Sequence, residues 1–177
     1  GPPRVPALTR PSPETPRHRQ RLHVRGWEGA RAAEHRAREL AKSANPWISS
    51  LGLWRLNRLK AARAEDFVLA MVHRAPESAS LLFVDMRHAG RTLHFPRREF
   101  TAAVAEMVRM PGQQVALLKF VNAWIRKETA SAQYLIDTIV LQDSARAYRS
   151  GLGDKMGNRE LIEELDKLST LRWSPPM

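Results

Sequence analysis

A spacing of 33 and 34 residues separates Phe67, Phe100 and Tyr134, and each of these aromatics opens a short helical pattern. Behind two of them runs a second apolar stretch, Ala79 to Gly90 (ASLLFVDMRHAG) and Val115 to Lys127 (VALLKFVNAWIRK). A break containing proline joins the members of each pair, Ala75-Pro76-Glu77 in one and Met110-Pro111-Gly112 in the other. Helix, turn, helix at this period is the signature of stacked helical hairpins, in which each unit buries its apolar face against its neighbours. The expected fold is therefore all-α, a short α-solenoid-like stack of helical hairpins with an extended basic N-terminal arm.

Helical phase supports that reading. Phe100, Ala103, Val104, Met107 and Val108 fall at i, i+3, i+4, i+7 and i+8, as do Leu117, Phe120, Val121, Trp124 and Ile125. Each set shares one helix face. Burying the larger of these side chains contributes about 1.5 to 3 kcal/mol apiece, so these faces, more than intrinsic propensity, should hold the hairpins together.

Four segments follow: an extended arm (1–26), a basic helical hairpin (27–63), the repeat-like hairpins (64–142), and a linker with an acidic helix and tail (143–177). Six of the 12 prolines lie in the arm, at Pro2, Pro3, Pro6, Pro11, Pro13 and Pro16, and favour an extended chain. Arg4, Arg10, Arg17, Arg19, Arg21 and Arg25 there face one acid, Glu14. Trp27 to Lys42 is Ala-, Arg- and Glu-rich and reads as a helix, with Glu34 and Arg38 as an i,i+4 pair. Its apolar stripe, Ala30, Ala33, Ala37, Leu40 and Ala41, is shallow. A second helix is expected after Asn45, with Pro46 at its first position and Arg55, Arg58, Lys60 and Arg63 as a basic edge. Trp47 and Trp54 in that helix read as core or interface anchors more readily than as base-stacking platforms.

The charge balance narrows the partners. With 29 Lys and Arg against 18 Asp and Glu, the net charge is +11. Such a surplus favours a polyanion, since cations on phosphates release condensed counterions. Arginine outnumbers lysine 23 to 6, and its planar fork suits bidentate phosphate contacts. Nucleic acid leads, with anionic lipid second. A further basic cluster, Arg91, Arg97 and Arg98, surrounds the link between the first two repeat units. No run of about 18 apolar residues marks a membrane span, and the absence of cysteine removes disulfides, thiolate zinc sites and a cysteine nucleophile.

At the other end, Asn158 can cap a helix whose Glu160, Glu163 and Glu164 favour its positive N-terminus. Leu161, Leu165 and Leu168 line one face, with Ile162 beside them. The acids suit a basic protein neighbour or the chain's own basic helix, and Trp173, followed by Pro175 and Pro176, reads as a docked tail.

The residues that carry the period resemble the pentatricopeptide-repeat family over about 75 positions: Ser80 to Gly90 like its second helix, Arg98 to Val108 like its first, Ala132 to Val140 like the next first helix. The resemblance implies RNA binding at one base per repeat. Carried over, the base-choosing positions would be Val68, Thr101 and Leu135, with Pro96 and Ala130 as their partners; Thr101 alone is of a type the family uses for reading bases.

Catalytic chemistry is not signalled. Gly151-x-Gly153 with Gly157 lacks the strand and third glycine of a dinucleotide loop. His18, His23, His35, His73, His88 and His94 show no ligand spacing with acids on a helix face, and Asp85 and Asp137 have no partner carboxylate. The sequence thus leads to a non-catalytic subunit of a mitochondrial ribosome, without cofactor, metal or small-molecule substrate. Its partners would be rRNA and neighbouring proteins, and it is not expected to be a stand-alone homo-oligomer. The Arg-rich, acid-poor start resembles what remains after an organellar presequence is cut, pointing to the mitochondrial matrix, although Gly1-Pro2 also reads as an engineering scar. A free pentatricopeptide-like RNA-processing or stability factor and an accessory subunit of a respiratory or ATP-synthase complex stand as alternatives.

Overall fold

The computed structural model describes residues 16–79, 81–82, 85, 97–127 and 129–172, with side chains from Glu28 onward except those of residues 129–131. They form α1 (Pro16–Ala41), α2 (Pro46–Arg58), α3 (Ala64–His73), α4 (Arg97–Val108), α5 (Gln114–Lys127), α6 (Thr129–Leu135), α7 (Thr138–Ser150) and α8 (Arg159–Thr170). Short 3-10 turns lie at Pro76–Ser78 and Met156–Asn158. The fold is all-helical among the described residues, compatible with a short stack of hairpins.

Helix α5 is the hub. Leu117, Leu118, Phe120, Val121, Trp124 and Ile125 are all buried, a larger apolar arc than a surface helix carries. It packs on α3, α4, α6 and α8, and α8 in turn packs on α7. The face expected on α4 is buried in full: Phe100, Ala103, Val104, Met107 and Val108. So are Leu161, Leu165 and Leu168 of α8. Between α4 and α5 the chain turns through Gly112 at φ +91°, a backbone angle that favours glycine.

Helices α1 and α2 form an antiparallel hairpin built on small residues. Asn45 caps α2, its side chain accepting from the backbone N–H of Trp47 and Ile48, and Pro46 occupies the first helical position. Ala37, Ala41, Ser49 and Gly52 meet between the two helices, and Ser50 beside them is also buried. Ser49 Oγ donates to the Ala41 carbonyl at 2.6 Å. Arg38 then ties the hairpin to α3: its guanidinium donates to Asp66 Oδ1 at 2.7 Å, Glu34 Oε1 at 2.8 Å and the Ala61 carbonyl at 3.1 Å.

Five expectations are corrected. The helix expected to start at Trp27 starts at Pro16, so the extended arm cannot reach residue 26; proline breaks a helix in its interior but is tolerated at its first position. Tyr134 does not open a repeat unit. It is 72% exposed near the end of α6, and the stretch read as one helix from Ala132 to Val140 is two, because Asp137 accepts from the Val140 N–H and caps α7. Residues 143–150 therefore complete α7 and are not a linker. Asn158 precedes α8 but makes no side-chain cap; its amide donates to the Gly153 carbonyl. The expected helix Ala79 to Gly90 falls mostly outside the described residues, but Ala79, Leu82 and Asp85 lie on one buried helical face.

Candidate nucleic-acid interface

The C-terminal end of α2 concentrates exposed cations. Arg55 and Arg58 occupy the last turn, where positive charge complements the helix dipole. Lys60 follows in a left-handed turn at φ 57°, and Arg63 leads into α3. All four side chains are exposed. Among the described residues, Arg55, Arg58 and Lys60 have no carboxylate within ion-pair distance. Neither α2 nor the loop that follows it, Leu59 to Arg63, contains an acid. Arg63 belongs to a network: with Arg38 foremost, and with Arg31, it holds the Glu34 carboxyl below its ordinary range.

Beside this end, α1 runs past its partner. At 26 residues it is about 39 Å long, whereas α2, with 13, spans about 20 Å. Gly52 meets Ala37 and Ala41, so α2 covers the C-terminal half of α1. Five consecutive residues of α1, Glu28 to Ala32, are exposed. The helix continues from this point to Pro16 through Arg17, Arg19, Arg21 and Arg25.

The outer face of α2 is apolar as well as basic. Trp47 is 71% exposed and Trp54 40%, with Ile48, Leu51 and Leu59 exposed near them. They alternate with the small and polar residues that face α1, so neither tryptophan is a core residue. The sequence signal for this was the composition of the opposite face: Ser49 and Gly52 can approach α1 closely, which turns the large residues outward.

The remaining expected residues scatter. Arg97 donates to the Ile136 carbonyl at 3.1 Å and is thus partly committed to the fold, while Arg98 is exposed on α4. Arg4, Arg10, Arg91 and Trp173 lie outside the described residues, as do the side chains of Arg17, Arg19, Arg21 and Arg25. In the acidic helix, Glu160 pairs with Lys119 of α5 at 2.7 Å and Glu163 reaches Arg159 at 3.7 Å, both pairs at the surface. Glu164 is not available to a neighbour. It is 5% exposed, and its carboxylate accepts from Asn122 Nδ2 at 2.9 Å and from Lys167 Nζ at 3.0 Å. The acidic helix therefore meets this chain's own α5.

The positions that would choose bases in a repeat code are turned inward. Val68, Thr101 and Leu135 are all buried. Thr101 Oγ1 donates to the Arg97 carbonyl at 2.7 Å and accepts from the Asp137 N–H at 2.9 Å. Its hydroxyl is occupied in joining α4 to the start of α7.

Sequence reasoning missed one buried cluster. Arg74, just after α3, and Asp85 are both fully buried and paired at 2.9 Å. Ser50 Oγ donates to the same Asp85 oxygen at 2.6 Å, and Arg74 also donates to Ser49 and Ser50. Burial, opposed by the bonds from Ser50 and Arg74 and more weakly by Trp54, pushes the Asp85 carboxyl above its ordinary value. Burial likewise lowers the Arg74 guanidinium from its own. The cluster ties α2 to the end of α3 and to the helical turn carrying Asp85, beneath the exposed α2 face.

No candidate group of metal ligands occurs among the described residues, and none of their helices is long and apolar enough to cross a membrane. Comparison with protein-family models, curated proteins and solved structures gave no match to this chain.

Proposed function

We propose that this chain is a non-catalytic structural subunit of a mitochondrial ribosome that lies on rRNA through arginine– and lysine–phosphate contacts. The observation that carries the proposal is the exposed cationic end of α2, where Arg55, Arg58 and Lys60 have no carboxylate within ion-pair distance among the described residues, beside the exposed residues Glu28 to Ala32 of α1. The net charge of +11 supplies the long-range attraction. Burial of Val68, Thr101 and Leu135 favours backbone binding over a base-reading repeat factor.

Electrostatic binding of this kind has a measurable slope. Each phosphate neutralised on a single strand contributes about −0.7 to the dependence of log K on log salt. Replacing Arg55, Arg58 and Lys60 together with alanine is expected to flatten the slope by about 2 for three lost contacts. Fluorescence-anisotropy titrations of a labelled single-stranded RNA between 50 and about 200 mM salt measure it. An unchanged slope would remove this end of α2 from the interface.

A further inference from the structure

We infer that the outer face of α2 is a stacking track for single-stranded RNA, on which Trp47 and Trp54 receive bases and Arg55, Arg58 and Lys60 receive the adjoining phosphates. This rests on the RNA-binding reading above and adds to it the form of the RNA and the residues that hold its bases. On the helix surface Trp47, Leu51, Trp54 and Arg58 stand at i, i+4, i+7 and i+11, a single line along one face. Ile48, Arg55 and Leu59 form the adjacent line. Trp47 and Trp54 are two turns apart, about 10 Å along the axis, a distance that a few nucleotides span. Leu51 and Ile48 make an apolar floor between them.

Two features select RNA for this face. The first is charge: every ionisable group on α2 and in the loop that follows it is a cation, and Arg55, Arg58 and Lys60 have no carboxylate within ion-pair distance among the described residues. The second is the chemistry of the exposed rings. Each base has a π-face that stacks on an indole, so a track of tryptophans beside arginines binds single strands with little regard for sequence. Trp54 is also positioned from below, because its indole lies against Asp85 and favours that carboxylate, which in turn is fixed by Arg74 and Ser50. Duplex RNA keeps its bases paired and stacked inside, so it gains nothing from this face beyond phosphate contacts.

The test uses the full chain and two probes of equal charge, a 12-nucleotide oligouridylate and a 12-unit abasic ribose-phosphate oligomer. Loss of stacking on one indole is expected to weaken binding of the oligouridylate about 5-fold or more. The wild-type chain should bind the oligouridylate at least that much more tightly than the abasic oligomer. Trp47→Ala with Trp54→Ala should bring the two to the same affinity with the salt slope unchanged, and Trp47→Phe with Trp54→Phe should retain most of the difference. Trp47→Ala alone gives a readout that does not disturb Asp85. A wild-type chain that binds both probes equally, or a Trp47→Ala, Trp54→Ala variant that still prefers the oligouridylate as the wild type does, would overturn the stacking track and leave the face to a protein neighbour. Either result would leave phosphate binding intact, whereas failure to bind either probe or any rRNA fragment would remove the RNA reading itself.

Discussion

Gly52→Ala is expected to destabilise the protein by about 2 kcal/mol net, against the usual gain for alanine in a helix. A Cβ at this position would lie 2.4 Å from the Ala41 nitrogen, 2.6 Å from the Ala37 carbonyl oxygen and 2.9 Å from the Ala41 Cα. All three are backbone atoms, so no side chain can rotate away and the two helices must separate. Alanine in a helix interior is favoured over glycine by about 1 kcal/mol, and overpacking of a rigid contact costs about 1 to 3 kcal/mol or more. The clash should therefore win. At Gly29, in the exposed part of α1, a Cβ would meet nothing within 4 Å, and Gly29→Ala should raise helicity and stability by a fraction of the propensity difference. Urea unfolding followed by circular dichroism compares the two. Equal and favourable effects would mean that α1 and α2 are not in close contact.

Asp85→Ala is expected to cost about 3 to 5 kcal/mol, because it leaves the Arg74 cation buried without its carboxylate. Ser49 and Ser50 would remain as its hydrogen-bond acceptors, but neither carries charge. Replacing both partners, Arg74→Met with Asp85→Leu, should cost much less than Asp85→Ala alone, since the desolvation of two ions is removed together. The direction of the Asp85 shift agrees with this. A carboxyl whose pKa is raised on folding adds stability that is complete below its unfolded value and is lost as pH rises through the folded one. Burial thus works against the charges of the pair, whose role is to fix α2 against the end of α3 beneath Trp54. Thermal unfolding of the single and double variants decides the point; a double variant as damaged as the single would assign the stability to the ion pair itself.

The parts legible in the sequence are those set by local periodicity. The apolar phases of α4, α5 and α8 give their buried faces directly, and Asn45-Pro46 marks the start of α2 by an N-cap and a proline at the first position. What sequence could not give depends on partners distant in the chain. Asp85 finds Arg74 eleven positions back, an offset outside any helix pairing rule, and Ser50 35 positions away. The 34-residue spacing to Tyr134 also misled, because Asp137 ends the pattern by capping a new helix. At the candidate interface, the basic edge of α2 was readable as charge. The exposure of Trp47 and Trp54 was not, since apolar content alone argues for a core, and only the small residues opposite them show which face packs.

Central to this account is attachment to a ribosome through RNA, and a sucrose gradient of extract from the source cell tests it most directly. The chain, followed by mass spectrometry, is expected to migrate with a ribosomal subunit and to leave that position after RNase treatment. Migration in an RNase-resistant membrane complex would contradict the account and favour a respiratory or ATP-synthase subunit; a light, RNase-sensitive peak would indicate a free RNA-binding factor.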